Sequence, residues 1–527
     1  MLDGTSQQSF NVDPGGEGKS MKPVSFRLLG ILFGLATLLL LEGCYNTSVS
    51  GGGGQIAANG SRTVNPADVW LPPGYKIEPV IQGLNFPTGV TFDDKGRVYV
   101  VEAGYSYGEV WTTPRLLRVI SEGVVSVVAK GDNGPWNGAA FSDGNFYVAE
   151  GGEKCGGRIL KISATGVVTP LVEDLPSLGD HHTNGPVVGA DGYVYFGQGT
   201  ATNSGVVGTD NFKFGWLKRH PEFHDIPGQD IVLRGQNFQT SDPFRAPSRL
   251  SWYQRYFPTL FLWHTNTAVT GAFSSFGTPT TPGQVIKGQV PCNGAVMRVP
   301  VQGGPVELVA WGLRNPYGLA FSPDGRLFAT ENQFDVRGSR PVFGTGDLLW
   351  EIKPGQWYGW PDFFAGEPIN DSNRFGAPGR AAPTLLLAKH PGVPPHPVAK
   401  FGVHSSADGF DFSRQQTFGY LGDAFVAEFG DMSPVVGKIE APVGFRVSRV
   451  ELEGGIIHPF VVNKGRRDAP ASKLGTGGLE RPIAARFNPS GDALYVVDFG
   501  VMRMDPNGAI PIENTGVLWR ITREDSR

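Results

Sequence analysis

The sequence predicts an all-β protein, a six-bladed β-propeller closed by its N-terminal strand, with a long insertion between the third and fourth repeat cores. Three observations predict this fold: a composition rich in turn residues, a strand pattern that occurs six times, and a last copy without its fourth strand. The 527 residues include 75 glycines and 42 prolines, about twice the usual share of these two residues. Only 18% of the residues are charged, whereas 34 Phe, 14 Tyr and 11 Trp can fill a sizeable core. A helical bundle and a disordered chain are therefore excluded.

The repeat is a short apolar strand, a turn with Asp and Gly, and a second strand, as in Gly138-Ala-Ala-Phe-Ser-Asp-Gly-Asn-Phe-Tyr-Val-Ala-Glu. This is the residue pattern of a β-hairpin. A third strand such as Leu116-Leu-Arg-Val follows each copy, and a fourth follows several. Four strands per repeat of about 50 residues are typical of a propeller blade. The six copies begin at Gly89, Gly138, Pro186, Gly318, Gly409 and Ala484.

The chain ends predict how the ring closes. The last copy stops after its third strand, Leu518-Trp-Arg-Ile, and the segment Ile77-Glu-Pro-Val-Ile before the first copy has fourth-strand character. The N-terminal strand should therefore complete the last blade and remove an open sheet edge. This assigns residues 70–525 to the propeller.

Two stretches do not fit the repeat and are read as insertions at about 201–288 and 363–403. The first is rich in Phe, Trp, Pro and His, and it should form a subdomain over one face, as a substrate lid would. The second is rich in Pro and loop-like. His220-Pro-Glu-Phe-His224 in the first insertion has the i,i+4 spacing of metal ligands. Its proline and the lack of a flanking helical pattern favour hydrogen-bonding histidines instead.

The N-terminal region reads as an export signal. Residues 1–20 form an upstream extension, and 21–44 combine a basic start with a 14-residue apolar run, too short for a membrane-spanning helix of about 20 residues. The end of this segment, Leu41-Glu-Gly-Cys44, resembles a bacterial lipoprotein box, which predicts lipidation of Cys44. Plain cleavage nearby and an uncleaved anchor are the alternatives. Residues 45–69 then form a flexible tether to a domain in the bacterial periplasm or at the cell surface.

Export changes what the remaining cysteines can do. An oxidising compartment allows a disulfide between Cys155 and Cys292, with two separate thiols as the alternative. Two spaced thiols do not make a metal site. The 45 basic and 49 acidic residues give a net charge of −4, so we expect no nucleic-acid partner, and membrane contact only through the lipid anchor.

The links between blades gather the polar residues. We call a link the segment from the outer strand of one blade to the inner strand of the next, which reaches the mouth of the central channel. Three links share the frame Gly-Leu-x-x-Pro, and they begin at Gly83, Gly312 and Gly478. Arginine in such links favours a pocket for a small anion, whereas pairing with acidic residues between blades is the alternative for Arg314. The polar link residues are Asp132, Asn133, Asp180, His181, His182, Arg314, Asn315, His404 and Arg481.

Gly312-Leu-Arg-Asn-Pro-Tyr-Gly-Leu-Ala-Phe, followed by Trp357-Tyr-Gly-Trp-Pro, resembles the soluble quinoprotein glucose and sorbosone dehydrogenases. Members of this family are exported six-bladed propellers that bind pyrroloquinoline quinone (PQQ) and calcium. The resemblance covers the propeller in order, and it includes His181 eight residues before Gly189. It implies oxidation of a sugar or related hydroxyl or aldehyde by hydride transfer to the quinone. Electrons would pass to an external cytochrome or quinone, since the chain has no C-x-x-C-H haem motif.

The resemblance also implies the catalytic residues. A neutral imidazole can take the hydroxyl proton, and a neighbouring carboxylate can orient it. The family's base matches His181, with Asp180 beside it. His182 is a rival in register, and a histidine that only donates a hydrogen bond in the channel is the alternative.

Cofactor contacts follow from the same resemblance. Arg314 and Asn315 would contact PQQ, and Arg481 would contact one of its carboxylates. Ca²⁺ would polarise the quinone, with the backbone carbonyls of Asn332 and Gln333 among its ligands.

The chain departs from the family pattern at three places. Asn184 stands where sorbosone-type members carry arginine, Asp347-Leu348 replaces an acidic pair, and the segment from Glu428 to Asp431 lacks a lysine. These changes keep a second hypothesis open, a non-catalytic ligand-binding propeller that has lost the cofactor. A metal-dependent lactonase or lyase ranks last, because the links contain few carboxylates for a metal.

Overall fold

The computed structural model describes residues 62–106, 110–245, 267–377, 380–433, 435–437, 441–465, 468–505 and 508–524. The predicted export signal, the lipidation at Cys44 and most of the tether lie outside these residues. Helices are short throughout the described part, and none of them has the length and apolar character needed to cross a membrane.

Strands dominate the described chain. Strands β1 to β14 are β1 (Val69–Trp70), β2 (Tyr75–Leu84), β3 (Pro87–Phe92), β4 (Val98–Glu102), β5 (Tyr105–Ser106), β6 (Val110–Trp111), β7 (Arg115–Ser121), β8 (Val124–Lys130), β9 (Trp136–Ser142), β10 (Asn145–Glu150), β11 (Gly157–Ser163), β12 (Val168–Leu175), β13 (Thr183–Val188) and β14 (Tyr193–Gln198). Strands β15 to β27 are β15 (Ile231–Leu233), β16 (Asn237–Ser241), β17 (Thr267–Gly271), β18 (Val285–Ile286), β19 (Ala295–Pro300), β20 (Glu307–Trp311), β21 (Asn315–Phe321), β22 (Leu327–Asn332), β23 (Gly346–Glu351), β24 (Phe363–Phe364), β25 (Glu367–Pro368), β26 (Leu387–Lys389) and β27 (Ala399–Val403). Strands β28 to β36 are β28 (Ala407–Phe412), β29 (Ala424–Glu428), β30 (Arg446–Glu451), β31 (Ile456–Asn463), β32 (Pro482–Phe487), β33 (Ala493–Asp498), β34 (Met502–Asp505), β35 (Gly508–Pro511) and β36 (Gly516–Arg523). The helices are α1 (Thr209–Lys213), α2 (Trp216–Arg219), α3 (Ser372–Phe375) and α4 (Ala471–Leu474), and a 3-10 turn covers Pro66–Asp68.

The repeats form antiparallel blades, as the sequence predicts. In order, the blades contain the strands β3-β4-β7-β8, β9-β10-β11-β12, β13-β14-β19-β20, β21-β22-β23-β27, β28-β29-β30-β31 and β32-β33-β36-β2. Strand β2 pairs with β36, with Ile77 opposite Ile521, so the N-terminal strand completes the sixth blade. Strand β1 adds a further pair at the outside of the fifth blade, with Val69 opposite Asn463.

Apolar side chains fill the space between neighbouring blades. Phe328 of the fourth blade packs with Phe412 of the fifth, for example. The sixth blade packs on the first in the same way, through a cluster that contains Leu518, Val100 and Val90. The inner strands contact each other in chain order, and β32 contacts β3. The blades therefore follow one another around a central channel.

The glycine that begins most repeats has a steric role. A Cβ atom on Gly89 would lie 2.7 Å from the Cα of Gly138, and one on Gly318 would lie 3.0 Å from the Cα of Gly409. Inner strands approach one another so closely here that a side chain on this face has no room. The small residues at this level of the channel are Gly89, Gly138, Gly185, Gly318, Gly409 and Ala484.

The two insertions join into one layer. Strand β15 of the first insertion pairs with β18 and also with β26 of the second insertion. Arg340, which is 1% exposed, ties the same parts together. It donates hydrogen bonds to the carbonyl oxygens of Ser204, Pro361 and Thr384, and it pairs with the carboxylate of Asp362 at 3.0 Å. Residues 399–403, which the sequence analysis places in the second insertion, form β27, the outer strand of the fourth blade.

Candidate active site

Each of the three similar links is held by a carboxylate at the end of the second strand of the blade that the link enters. Glu102 accepts a hydrogen bond from the backbone amide of Asn85 at 2.7 Å, and Asp498 accepts one from the amide of Arg481 at 2.8 Å. Glu331 does the same for the amide of Arg314. The acidic residue that ends the repeat pattern thus fixes the link and sets the direction of its side chains.

The links converge on a cavity at the channel mouth, which we call the mouth pocket. A neighbouring cavity shares His181, Asn315, Asn332, Ser406 and Met432 with it and is also lined by His182 and Asn184. The mouth pocket is lined by Asp180, His181, Phe214, Trp216, Arg314, Asn315, Asn332, Gln333, Asp335, Arg337, Asp347, His404, Ser406, Gly430, Met432, Val435 and Val436. The structure therefore brings together all the predicted catalytic, cofactor and calcium residues except Arg481.

His181 is a buried imidazole with one ring nitrogen bound to the backbone. Its Nδ1 atom lies 3.0 Å from the carbonyl oxygen of Thr200. A carbonyl only accepts hydrogen bonds, so Nδ1 carries the proton and the lone pair is on Nε2. Burial and the nearby guanidinium groups of Arg314 and Arg337 lower the pKa of His181 well below its usual value. The imidazole is therefore uncharged at neutral pH.

Asp180 does not orient the ring as the family pattern implies, because Thr200 occupies Nδ1. The Asp180 carboxylate instead pairs with Arg337, and its Oδ2 lies 3.8 Å from Nε2 of His181. Arg314 is at 3.9 Å from the same oxygen. Asp180 therefore sits next to the atom that would take up a proton, where its charge can stabilise an imidazolium.

His182 turns to the neighbouring cavity. Its Nε2 lies 2.6 Å from the carboxylate of Glu153, which also pairs with Arg219 of α2. The two adjacent histidines thus have different surroundings. His182 is bound to a carboxylate at Nε2, and His181 is bound to a carbonyl at Nδ1.

Arg314 lines the mouth pocket, but protein groups use most of its guanidinium. Nη2 lies 2.8 Å from the Asp335 carboxylate and 3.0 Å from the side-chain oxygen of Asn203, and Nε donates to the Asn203 carbonyl. Arg314 therefore pairs with an acidic residue, Asp335, as in the alternative to an anion pocket given for it above. Asn315 is also bonded, since its amide lies between Asn184 and Asn332 at 2.8 Å from each.

Arg481 is 1% exposed and lies behind the pocket wall. Its Nη1 donates to the carbonyl oxygens of Gly430 at 3.1 Å and Asp431 at 3.2 Å, and its guanidinium stacks near the rings of Phe429 and Phe445. Nε and Nη2 have no hydrogen-bond partner in the described part of the chain. Burial lowers the pKa of this group to about 10.

The two residues predicted to give calcium ligands have different surroundings. The Asn332 carbonyl accepts a hydrogen bond from the cationic Arg314 at 3.2 Å. The amide of Gln333 donates to Asp347, and its side-chain Oε1 has no partner among the described residues. Throughout the part of the chain that the structure describes, no group of three or more His, Cys, Asp or Glu side chains is arranged to hold a metal.

Sequence reasoning missed several residues of the mouth pocket. Asp335 and Arg337 follow β22 in a loop without a repeat signature, and they form the centre of its charged network. Asp210 of α1 also pairs with Arg337, at 2.7 Å. Phe214 and Trp216 come from the first insertion, which therefore contributes to the pocket wall. The only available signal was the aromatic content of that insertion.

Of the two alternatives for the cysteines, a disulfide or two separate thiols, the structure shows two separate thiols. Cys155 is exposed in the loop after β10, and Cys292 is buried in the core of the third blade, so no disulfide joins them. The histidines of the His-Pro-Glu-Phe-His segment bind backbone oxygens. His220 contacts the carbonyl of Glu153 at 3.3 Å, and His224 contacts that of Asp225 at 3.0 Å.

No family model matches the sequence, and no curated protein sequence does. Solved structures match its fold. The holo form of the pyranose dehydrogenase PQQ domain from Coprinopsis cinerea is 14% identical, with a TM-score of 0.50 over 90% of this chain and 100% of that chain. The PQQ-bound aldose sugar dehydrogenase from Streptomyces coelicolor is 16% identical, with a TM-score of 0.45 over 86% and 100%. The apo form of the soluble aldose sugar dehydrogenase from Escherichia coli is 15% identical, with a TM-score of 0.47 over 85% and 99%. The first of these similarities supports the predicted propeller fold. At a sequence identity of 14%, it shows similarity of fold and not of function.

Proposed function

We propose that this protein is an exported PQQ-dependent dehydrogenase that oxidises a sugar or related hydroxyl or aldehyde. One observation carries the proposal. His181 is buried at the channel mouth, uncharged, and held at Nδ1 so that Nε2 is its basic atom. A base of this kind is what alcohol oxidation requires, because the hydroxyl proton must leave as hydride departs from carbon.

The chain's own residues can handle that proton. Nε2 of His181 accepts it, which creates an imidazolium in a buried site. Arg314 and Arg337 oppose this charge, and the carboxylate of Asp180 at 3.8 Å favours it. Asp335 also favours the charged form. The balance keeps the resting imidazole neutral while leaving carboxylates close to the charge that develops.

An anionic quinone with carboxylate groups needs cationic donors, and the unpaired ones belong to Arg481 behind the pocket wall, since protein groups use those of Arg314. Arg481 has two buried nitrogen atoms without a hydrogen-bond partner among the described residues. Unpaired buried donors are costly unless a ligand satisfies them. Arg314, Asn315 and Arg481 would hold PQQ, which when bound accepts the hydride from the substrate carbon.

The calcium assignment fits less well. The Asn332 carbonyl already faces a guanidinium, and a cation next to Arg314 would be repelled. Gln333 offers its unpaired Oε1 as an oxygen ligand. The proposal therefore includes Ca²⁺ without a full set of ligands, and PQQ binding with and without Ca²⁺ measures whether the ion is required.

Two further parts of the proposal concern the protein outside the pocket. The lipoprotein-like segment before Cys44 would place the domain in the periplasm or at the cell surface, attached through lipid. An external cytochrome or quinone would take the electrons. Labelling with a radioactive fatty acid tests the first part, and Cys44→Ala should abolish incorporation of the label.

The test titrates the full chain with PQQ, with and without Ca²⁺, and follows cofactor absorbance and dye reduction with aldoses, sorbosone-like aldehydes and polyols. We expect stoichiometric binding, and turnover that falls by about 10²–10⁴-fold in His181→Ala. His182→Ala is the matched variant and should lose less than about tenfold, because its ring faces Glu153. A collapse of turnover in His182→Ala but not in His181→Ala would show that His182, and not His181, is the base.

A second candidate is a ligand-binding propeller that has lost the cofactor. The saturation of Arg314 by Asn203 and Asp335 favours it, since this leaves few cationic groups for PQQ. Absence of PQQ binding at micromolar concentration would reject the dehydrogenase and support this candidate.

A further inference from the structure

The orientation of His181 depends on the segment that follows β14, which we call the 199–202 strap. The backbone amide and Nδ1 of His181 both lie 3.0 Å from the Thr200 carbonyl oxygen. The amide of Asp180 donates to the Ala201 carbonyl at 2.9 Å. A Cβ atom on Gly199 would lie 2.2 Å from the Cβ of His181, so the strap lies directly against the histidine. A shift of the strap would therefore move the imidazole.

A carboxylate from the first insertion holds this strap. Oδ1 of Asp225 accepts hydrogen bonds from the amides of Ala201 at 2.7 Å and Thr202 at 3.4 Å. Oδ2 accepts from the hydroxyl of Thr202. Asp225 is 1% exposed and follows α2 by a few residues, so the insertion reaches the back of the site as well as its mouth.

The other contacts of the strap do not replace Asp225. The amide of Thr200 donates to the Arg314 carbonyl at 2.8 Å, and the Thr200 hydroxyl donates to Thr202 within the strap itself. The amide of Gly199 donates to the His182 carbonyl, and the Asn293 side chain donates to the Gly199 carbonyl, each at 3.0 Å. None of these contacts satisfies the buried amides of Ala201 and Thr202. Without the carboxylate these two donors would lose their partner, and the strap would have to move to find another.

We propose that Asp225 is a positioning residue for His181, because it fixes the strap whose Thr200 carbonyl selects the Nδ1–H tautomer of the base. This inference rests on the proposed function. It makes the first insertion part of the support of the base, in addition to its contribution to the pocket wall.

The charge of Asp225 should then appear in the pH dependence. Burial raises the pKa of Asp225 to about 7, and the charge of Asp180 acts in the same direction. Asp180 is itself paired with Arg337 and near Arg314, and His224 contacts the backbone carbonyl of Asp225. Protonation of Asp225 below about pH 7 weakens it as an acceptor for the strap. The pKa of His181 lies well below its usual value, so the two titrations are separate.

Asp225→Asn tests the proposal against Asp230→Asn, an exposed carboxylate of the same insertion that pairs with Lys287. At pH 8 we expect kcat of Asp225→Asn to fall by about 10-fold to 100-fold with KM within about twofold, because the base is misplaced while the binding surface is kept. Wild-type kcat should decline through about pH 7 towards that of the variant, and the variant should lack this decline. An unchanged kcat in Asp225→Asn, or the same pH profile in both proteins, would overturn the proposal.

A measurement without cofactor separates this inference from the proposed function. In the full chain labelled with ¹⁵N-histidine, the His181 signals, identified by their loss in His181→Gln, should show Nδ1–H in wild type and change in Asp225→Asn. The signals of the other histidines should stay. Unchanged His181 signals would reject the positioning role even if the enzyme were active, and a wild type without PQQ turnover would reject only the proposed function. Should Asp225→Asn fail to fold, Thr202→Val removes one donor, and an unchanged kcat and His181 spectrum there would reject the role.

Discussion

The links into the fourth and sixth blades have the same Gly-Leu-x-x-Pro frame but place their arginines in opposite surroundings. Arg314 has a carboxylate, an amide oxygen and two carbonyls around its guanidinium. Arg481 contacts carbonyl oxygens through Nη1, while Nε and Nη2 lack partners among the described residues. In both links an acidic residue, Glu331 or Asp498, caps the backbone amide of the arginine. Arg314 stands at the first variable position of the frame and Arg481 at the second. The position in the frame and the surroundings together therefore decide whether the side chain is paired.

Part of the difference comes from the first insertion and part from the loop after β22. Asn203 belongs to the first insertion, and Asp335 lies in the loop after β22, and both reach Arg314. Around Arg481, aromatic rings of the fifth blade take this place. Arg314 is therefore paired within the protein, whereas Arg481 keeps two donors that the described residues do not satisfy.

The largest effect should come from replacing each arginine with methionine, which has a similar length and no charge. Arg314→Met leaves Asp335 buried without one of its partners, and we expect the free energy of unfolding to fall by about 3–5 kcal/mol. Arg481→Met removes a buried charge with unpaired donors, and we expect a loss of less than about 1 kcal/mol. Urea denaturation of the cofactor-free protein measures both values. Equal losses would show that the two sites do not differ.

A smaller effect should follow from removing the contribution of the insertion to Arg314. The Asn203 side chain accepts from Arg314 Nη2 and from the amide of Asp335 at 2.8 Å. Asn203→Ala leaves both donors without this acceptor, and we expect a loss of about 1–2 kcal/mol by urea denaturation. In the Arg314→Met background the same substitution should cost clearly less. A full cost in that background would mean that Asn203 acts independently of Arg314.

The smallest effect concerns the cap of the fourth-blade link. Burial raises the pKa of Glu331 to about 7, above its usual value near 4.5. The folded protein therefore holds a proton there more tightly than the unfolded chain, and the contribution of Glu331 to stability falls as pH rises from about 4.5 to 7. Relative to wild type, Glu331→Gln should gain about 1 kcal/mol between pH 5 and pH 6. Parallel stability curves for the two proteins would contradict this expectation.

Much of the fold was readable because each blade repeats one local rule. Alternating strands, Asp-Gly turns and the final acidic residue recur, and each reflects a contact within one blade or with the next. The missing fourth strand of the last copy predicted its pairing with Ile77, which the register confirms. The pairing of β15 with β26 was not predictable, because two irregular segments meet there without a shared pattern.

The candidate site likewise has residues that the sequence predicted and residues that it did not. His181, Arg314 and Asn315 were found because links converge at the channel mouth. Arg337 was missed, because a single arginine in an irregular loop has no periodic signal and acquires its position only from Asp180, Asp210 and Asp335. The position of Asp180 next to His181 in sequence suggested that it orients the ring, but the backbone turns it towards Arg337.

The sequence by itself determined the number of blades, their closure by the N-terminal strand and the gathering of polar links at one mouth. These features follow from local strand and turn chemistry, which a repeat displays several times. Only the tertiary structure decided that Arg314 is paired, that Arg481 is not fully paired, that Cys155 and Cys292 stay apart, and that Asp225 holds the segment next to His181. These outcomes depend on contacts between distant and irregular segments, where burial and the arrangement of neighbouring charges, and no local pattern, determine each group's partners.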